Sequence, residues 1–149
     1  MAEPMQAGMS QWGPLASWGD RVIAALLDRV PGFVLAAIGA RAGALGTLFS
    51  LAGTAYFFYV AYMEGERGAG PGKRLTGLKI VKAADGQVLG GGMGIVRQIA
   101  HFVDAIICLI GYLFPLWDPQ RQTIADKLLG TVVLMDQPKE EFSAELFKL

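Results

Sequence analysis

Charge is scarce in this sequence. Lys, Arg, Asp and Glu make up 17% of its 149 residues, against 53% hydrophobic residues and a mean hydropathy of +0.41. A water-soluble domain of this size carries closer to a quarter charged residues, so too little polar surface is left to keep the chain in water. Cysteine and histidine are scarcer still, with Cys108 and His101 the only ones. That excludes an internal disulfide, a thiolate metal centre and a closed zinc site. Cys108 lies in an apolar run and is expected to pack as a small hydrophobe. No serine stands in an arrangement with histidine and an acid, so an enzyme is not expected, and no cofactor is implied. The 13 basic residues balance the 13 acidic ones. The net charge therefore gives no reason to expect nucleic acid as a partner.

Residues 1–19 lack the basic start of a cleaved signal, carry Glu3, and are broken by Pro4 and Pro14. Trp12 and Trp18 suit a segment resting at a membrane surface. A free polar tail with two incidental tryptophans is the alternative. Gly68-Ala69-Gly70-Pro71-Gly72-Lys73-Arg74 echoes a phosphate-binding loop. It lacks the first glycine at the required spacing, and Arg74 stands where Ser or Thr must meet magnesium.

What is present is apolar length. Residues 44–63 hold neither charge nor proline. About 20 such residues suffice for a helix to cross the hydrocarbon of a bilayer. Tyr56, Tyr59 and Tyr62 crowd its C-terminal half like an interfacial anchor. Gly46, Ser50 and Thr54 share one face at four-residue spacing and are read as a helix-packing face; a lipid-facing helix with chance small residues is the alternative. Residues 22–40 form a second apolar stretch, interrupted by Asp28, Arg29 and Pro31 and expected to begin its helix near Asp20 and Arg21. Only residues 41–43 separate the two, enough for a tight hairpin.

Residues 64–94 are polar and glycine-rich, with Arg67, Lys73, Arg74, Lys79 and Lys82 against Glu64, Glu66 and Asp85. Excess Lys and Arg beside a span marks the cytoplasmic side. That places Arg21 and Met63 inside and Arg41 outside. Lys73, Arg74 and Lys79 are read as facing lipid headgroups. A third apolar run covers residues 95–117. It either crosses or dips in and returns near Gly111. Pairing of the β-prone runs 78–81 and 131–134 requires both on one side, which favours the return. Residues 136–149 form an acidic tail, an amphipathic helix or a partner-docking segment.

Together these segments predict an all-α membrane protein. It has two transmembrane helices, a third membrane-embedded helix that spans or re-enters, and a small cytoplasmic β-strand pair. Its parts are residues 1–19, 20–135 and 136–149.

The charges then form a set. Arg21 begins the first helix and Asp28 follows seven residues on. Asp126 lies in Arg121-Gln122-Thr123-Ile124-Ala125-Asp126-Lys127-Leu128-Leu129-Gly130-Thr131. Between them stand Pro71-Gly72-Lys73-Arg74-Leu75, Gly77-Leu78-Lys79-Ile80-Val81, Asp85-Gly86 and Arg97. In order and spacing this resembles the RDD family of membrane proteins, named for one arginine and two aspartates, over roughly residues 20–134. The polar segment before Arg21 and the acidic tail depart from that pattern. The resemblance implies a membrane protein for which transport of an unidentified ligand, in one version ion/proton exchange, is suggested; the expected location is the bacterial inner membrane, with the N-terminus on the cytoplasmic side where the basic loop places it.

A carboxylate in hydrocarbon must find a cation or a proton. Arg21 lies two helical turns before Asp28, their Cα atoms roughly 10 Å apart, and is one expected partner. Arg97, His101 and Asp104 form a stripe at i, i+4, i+7, so Asp28 meeting Arg97 or His101 is the other. Such a network is either a structural clamp or a proton path. Asp126 is expected near Lys127 and Arg121, capping a short helix or pairing with Lys73 and Arg74. Two functions follow: an accessory or assembly subunit of a larger membrane complex, or a homo-oligomeric transporter or ion/proton exchanger. The expected partners are membrane lipids and other subunits or the chain itself.

Overall fold

The computed structural model describes residues 8–107 and 109–149. The packing expected of Cys108 therefore lies outside the described residues, as does the start of the N-terminal segment. Strands β1 (Met9–Ser10) and β2 (Gly13–Pro14) make a small hairpin. It docks on the body: Leu15 bridges Leu134, and the Trp12 indole donates to the carbonyl of Ala83 at 2.9 Å. This part of the N-terminal segment is thus folded, not a free tail, because its backbone is taken up by the sheet.

Helix α1 (Trp18–Gly39) starts on a capping box, Ser17 and Asp20 each satisfying the other's backbone N–H. At 22 residues it is roughly 33 Å long, enough to cross a bilayer. Its buried positions Ala24, Asp28, Gly32 and Gly39 form one stripe. Against that stripe packs α2 (Gly43–Arg67). A Cβ on Gly46 would strike the carbonyl of Gly39, and one on Gly53 the carbonyl of Gly32, so glycine is what lets the backbones touch. Ser50 lies at this seam beside Gly39. Thr54 does not: it is exposed and its hydroxyl bonds back to the carbonyl of Ser50. The packing face is Gly46, Ser50 and Gly53, because close contact needs the smallest residues. The outward residues are apolar and open, Phe33 at 69% and Leu48 at 62% exposure, the pattern of a helix pair solvated by lipid.

After α2 come α3 (Pro71–Thr76), β3 (Lys79–Lys82) and α4 (Gly91–Ile106). The third apolar run then breaks. Helix α5 (Ile110–Leu113) and a 3-10 turn (Phe114–Leu116) are inclined to α4 by 106°. Next are α6 (Ile124–Leu129) and β4 (Thr131–Leu134), which pairs antiparallel with β3, Lys79 opposite Leu134 and Lys82 opposite Thr131. Both ends of the run therefore lie at the same end of the α1–α2 hairpin, and the chain folds back on α4. A Cβ on Gly111 would collide with Asp104, so glycine permits the returning chain to lie on α4.

Leu78, just before β3, and Ile80 and Val133 of the sheet pack on Ala16 and Ala24 in a small core, with Leu15, Val81, Val132 and Leu134 in a second cluster. The acidic tail is not an α-helix. It ends in a 3-10 turn (Ala144–Phe147) and docks on its own chain, with Leu146 fully buried.

Candidate functional site

At the polar end of the hairpin, α1, α2, α3, α4 and α6 converge on buried charge. Asp28 sits on the packed stripe of α1 and is wholly buried. Its Oδ1 accepts the backbone N–H of Gly72 at 2.7 Å, and its Oδ2 accepts Lys73 Nζ at 3.0 Å. Helix α3 approaches this closely because of its glycines. A Cβ on Gly72 would press on the backbone of Ala24 and Asp28, and one on Gly70 on the Asp28 carboxylate. Pro71-Gly72-Lys73 is thus a device for laying a short helix start, with its free N–H groups, on a buried carboxylate.

Lys73 also donates to Glu64 of α2. Glu64 in turn faces Arg29 at 3.8 Å and Arg97 at 4.0 Å. Arg97 reaches Asp126 Oδ1 through Nη2 at 2.6 Å and Nε at 3.1 Å. The other oxygen of Asp126 accepts Arg21 Nη2 at 2.5 Å. Asp126 further accepts the Thr131 hydroxyl at 2.9 Å and closes a capping box with Thr123 at the start of α6. Burial alone would raise its carboxyl, but the guanidiniums of Arg21 and Arg97 outweigh that and hold it well below the usual carboxylate range. A single chain of ions therefore runs Asp28, Lys73, Glu64, Arg97, Asp126, Arg21.

A second cluster sits further along α4. His101 Nδ1 and Asp104 Oδ2 are 2.8 Å apart, and Asp104 Oδ1 accepts the N–H of Ile124 at 3.0 Å. The Tyr112 ring stacks on His101 with centroids 5.5 Å apart, and its hydroxyl bonds the His101 carbonyl. This cluster pins α5 and the start of α6 to α4.

Several sequence expectations are corrected here. Arg21 pairs with Asp126, not Asp28, because the returning chain brings Asp126 to the start of α1. Asp28 meets neither Arg97 nor His101; α3 intervenes. Lys73 and Arg74 do not face headgroups, since both are buried. Arg74 holds Glu140 by Nε at 2.9 Å and Nη2 at 2.6 Å, and donates to the carbonyl of Leu146 at 2.7 Å. Only Lys79 of that basic set is partly open. Lys127 pairs with Asp118 at 2.5 Å, while Arg121 supplies its carbonyl to Arg21. Glu64 and Arg29 escaped the sequence reading. Glu64 was legible as the continuation of the buried α2 positions Gly53 and Val60.

The RDD family model matches residues 15–130. The chain belongs to the RDD family. It is also similar to the proline-rich antigen of Mycobacterium leprae (strain TN), 38% identical over 148 residues, covering 78% of this chain and 59% of the relative. The proline-rich antigen homolog of Mycobacterium tuberculosis (strain ATCC 25618 / H37Rv) is 38% identical over 146 residues, 77% of this chain and 61% of that one. The chain spans about three fifths of the length of these relatives. No solved structure matches. In this RDD protein Arg21 and Asp126 are one ion pair, and Asp28 joins them through Lys73, Glu64 and Arg97. Among the described residues, no three acidic, histidine or cysteine side chains converge as a metal site would need.

Proposed function

We propose that this RDD protein is a non-enzymatic subunit that helps assemble a larger complex in a bacterial plasma membrane, its N-terminus on the cytoplasmic side. The observation that carries the reading is the engagement of its buried carboxylates. Asp28, Glu64, Asp104 and Asp126 are each engaged by cations or N–H groups of the same chain. Charges so matched serve to lock helices together and have no oxygen set aside for a passing ion. The apolar outer faces of α1 and α2, and the exposed Phe142 and Leu149 of the tail, offer surface to lipid and to neighbouring subunits. Basic residues at the polar end support the cytoplasmic orientation.

One observation favours the exchanger reading: Asp28 also lines a cavity between α1, α2 and α4. Two measurements separate the readings. Mild-detergent purification from native membranes is expected to recover the protein with other membrane proteins; a lone homo-oligomer argues for the exchanger. With Asp28→Asn the subunit reading expects loss of the assembled complex. Loss of proton or cation flux in proteoliposomes, with assembly intact, overturns it.

A further inference from the structure

The cavity between α1, α2 and α4 has a volume of ≈ 320 Å³, within the range of small-molecule sites. Its walls are Phe33 and Ala36 of α1, Phe57 and Phe58 of α2, and Ile99 and Phe102 of α4. Phe33, Phe58, Ile99 and Phe102 are also open to the surroundings, so the mouth is apolar and meets lipid. The floor is different. Asp28, Arg29 and Tyr56 line it, and Asp28 is already held by Gly72 and Lys73.

The other two floor residues carry donors without acceptors. Arg29 sends Nη2 to Gln98 and lays its guanidinium over the Phe57 ring, 5.0 Å from the centroid. Among the described residues its Nη1 is buried without a partner, and so is the Tyr56 hydroxyl. An unpaired buried donor is costly, more so on a charged group, and hydrocarbon holds no water to relieve it. Both atoms need an acceptor at the floor of an apolar slot. A carboxylate brings two oxygens that accept only. A phosphate dianion is disfavoured by the Asp28 carboxylate beside it. An aliphatic chain suits the phenyl-lined wall, and the Arg29 guanidinium on the floor repels a cation.

We infer that this cavity binds a long-chain monocarboxylate from the bilayer. The headgroup sits on Arg29 Nη1 and the Tyr56 hydroxyl, and the chain runs out between Phe33, Phe58 and Phe102. The test uses the full chain in detergent micelles, radiolabelled oleate and scintillation proximity. Saturable binding of one oleate per chain is expected, displaced by unlabelled oleate but far less by methyl oleate, which lacks the charge. Tyr56→Phe should weaken oleate binding about tenfold, the size of one lost bond to a charged group. It should not lower the unfolding temperature, because it removes a hydroxyl that had no partner. Thr54→Trp, at the exposed wall, should block binding without touching the floor. Equal displacement by methyl oleate, or an unchanged affinity in Tyr56→Phe, overturns the inference and leaves a slot for any acyl chain. Absence of saturable binding overturns it as well, as when a neighbouring copy fills the cavity.

Discussion

Asp126 is where electrostatics and covalent order meet. Two guanidiniums from α1 and α4 flank it, and its own helix cap depends on it. Because its folded carboxyl lies below the ordinary value, its contribution to stability is fully present above about pH 4, the unfolded value. It is lost only as pH falls through the lower, folded value. Unfolding temperature in detergent should therefore hold from pH 7 to pH 5 on account of this residue and decline below pH 4. Asp126→Asn should lose that acid phase. Asp126→Ala should cost about 3–5 kcal/mol, as expected when a buried pair loses one partner, by chemical denaturation in micelles. Lys73 makes the second residue-scale test. Lys73→Met removes the cation that Asp28 and Glu64 share. Adding Asp28→Asn should recover part of the loss, with a coupling on the order of 1–3 kcal/mol in a double-mutant cycle. Strict additivity would mean that Lys73 and Asp28 do not interact.

At the scale of elements, glycine decides what can touch what. Gly39 and Gly46 set the hairpin seam, Gly72 the seat of α3 on α1, and Gly111 the fold-back of α5 on α4. Gly72→Ala should lift α3 from Asp28 at an overpacking cost of about 1–3 kcal/mol. Since Lys73 and Arg74 are buried in the native protein, limited trypsin digestion should begin to cut there in the variant and spare the parent. The tail is an element of this kind too. Its Glu140 is held by Arg74, whose hydrogen bonds keep the carboxyl below its ordinary value, and Leu146 plugs the interior. The sequence of this tail allows an amphipathic helix or a partner-docking segment. The docking carbonyls of residues 146 and 148 on Arg74 instead hold it in a single tight turn.

For the whole molecule the decisive feature is the returning third segment. A full crossing would put β3 and β4 on opposite faces of the membrane, and a lone strand there could not satisfy its edges. With Cys108→Ala as background, cysteines placed at Asp85 and Gln120 should label from one side of the membrane and one at Arg41 from the other. Labelling of Asp85→Cys and Gln120→Cys from opposite faces would refute the fold-back.

Apolar runs, their lengths and the short break at residues 41–43 are local properties, so the sequence alone determined that lipid is the solvent, that α1 and α2 form a hairpin, and that β-prone runs flank the third segment. The resemblance to the RDD family grouped Arg21, Asp28 and Asp126 as a set. Which charge meets which was decided only in three dimensions. Partners such as Arg21 and Asp126 stand 105 positions apart, and their meeting depends on a turn at Gly111 and a helix seat at Gly72. Burial of a lysine is likewise invisible to composition, since Lys73 reads as a surface cation until the carboxylates that neutralise it are brought to its side.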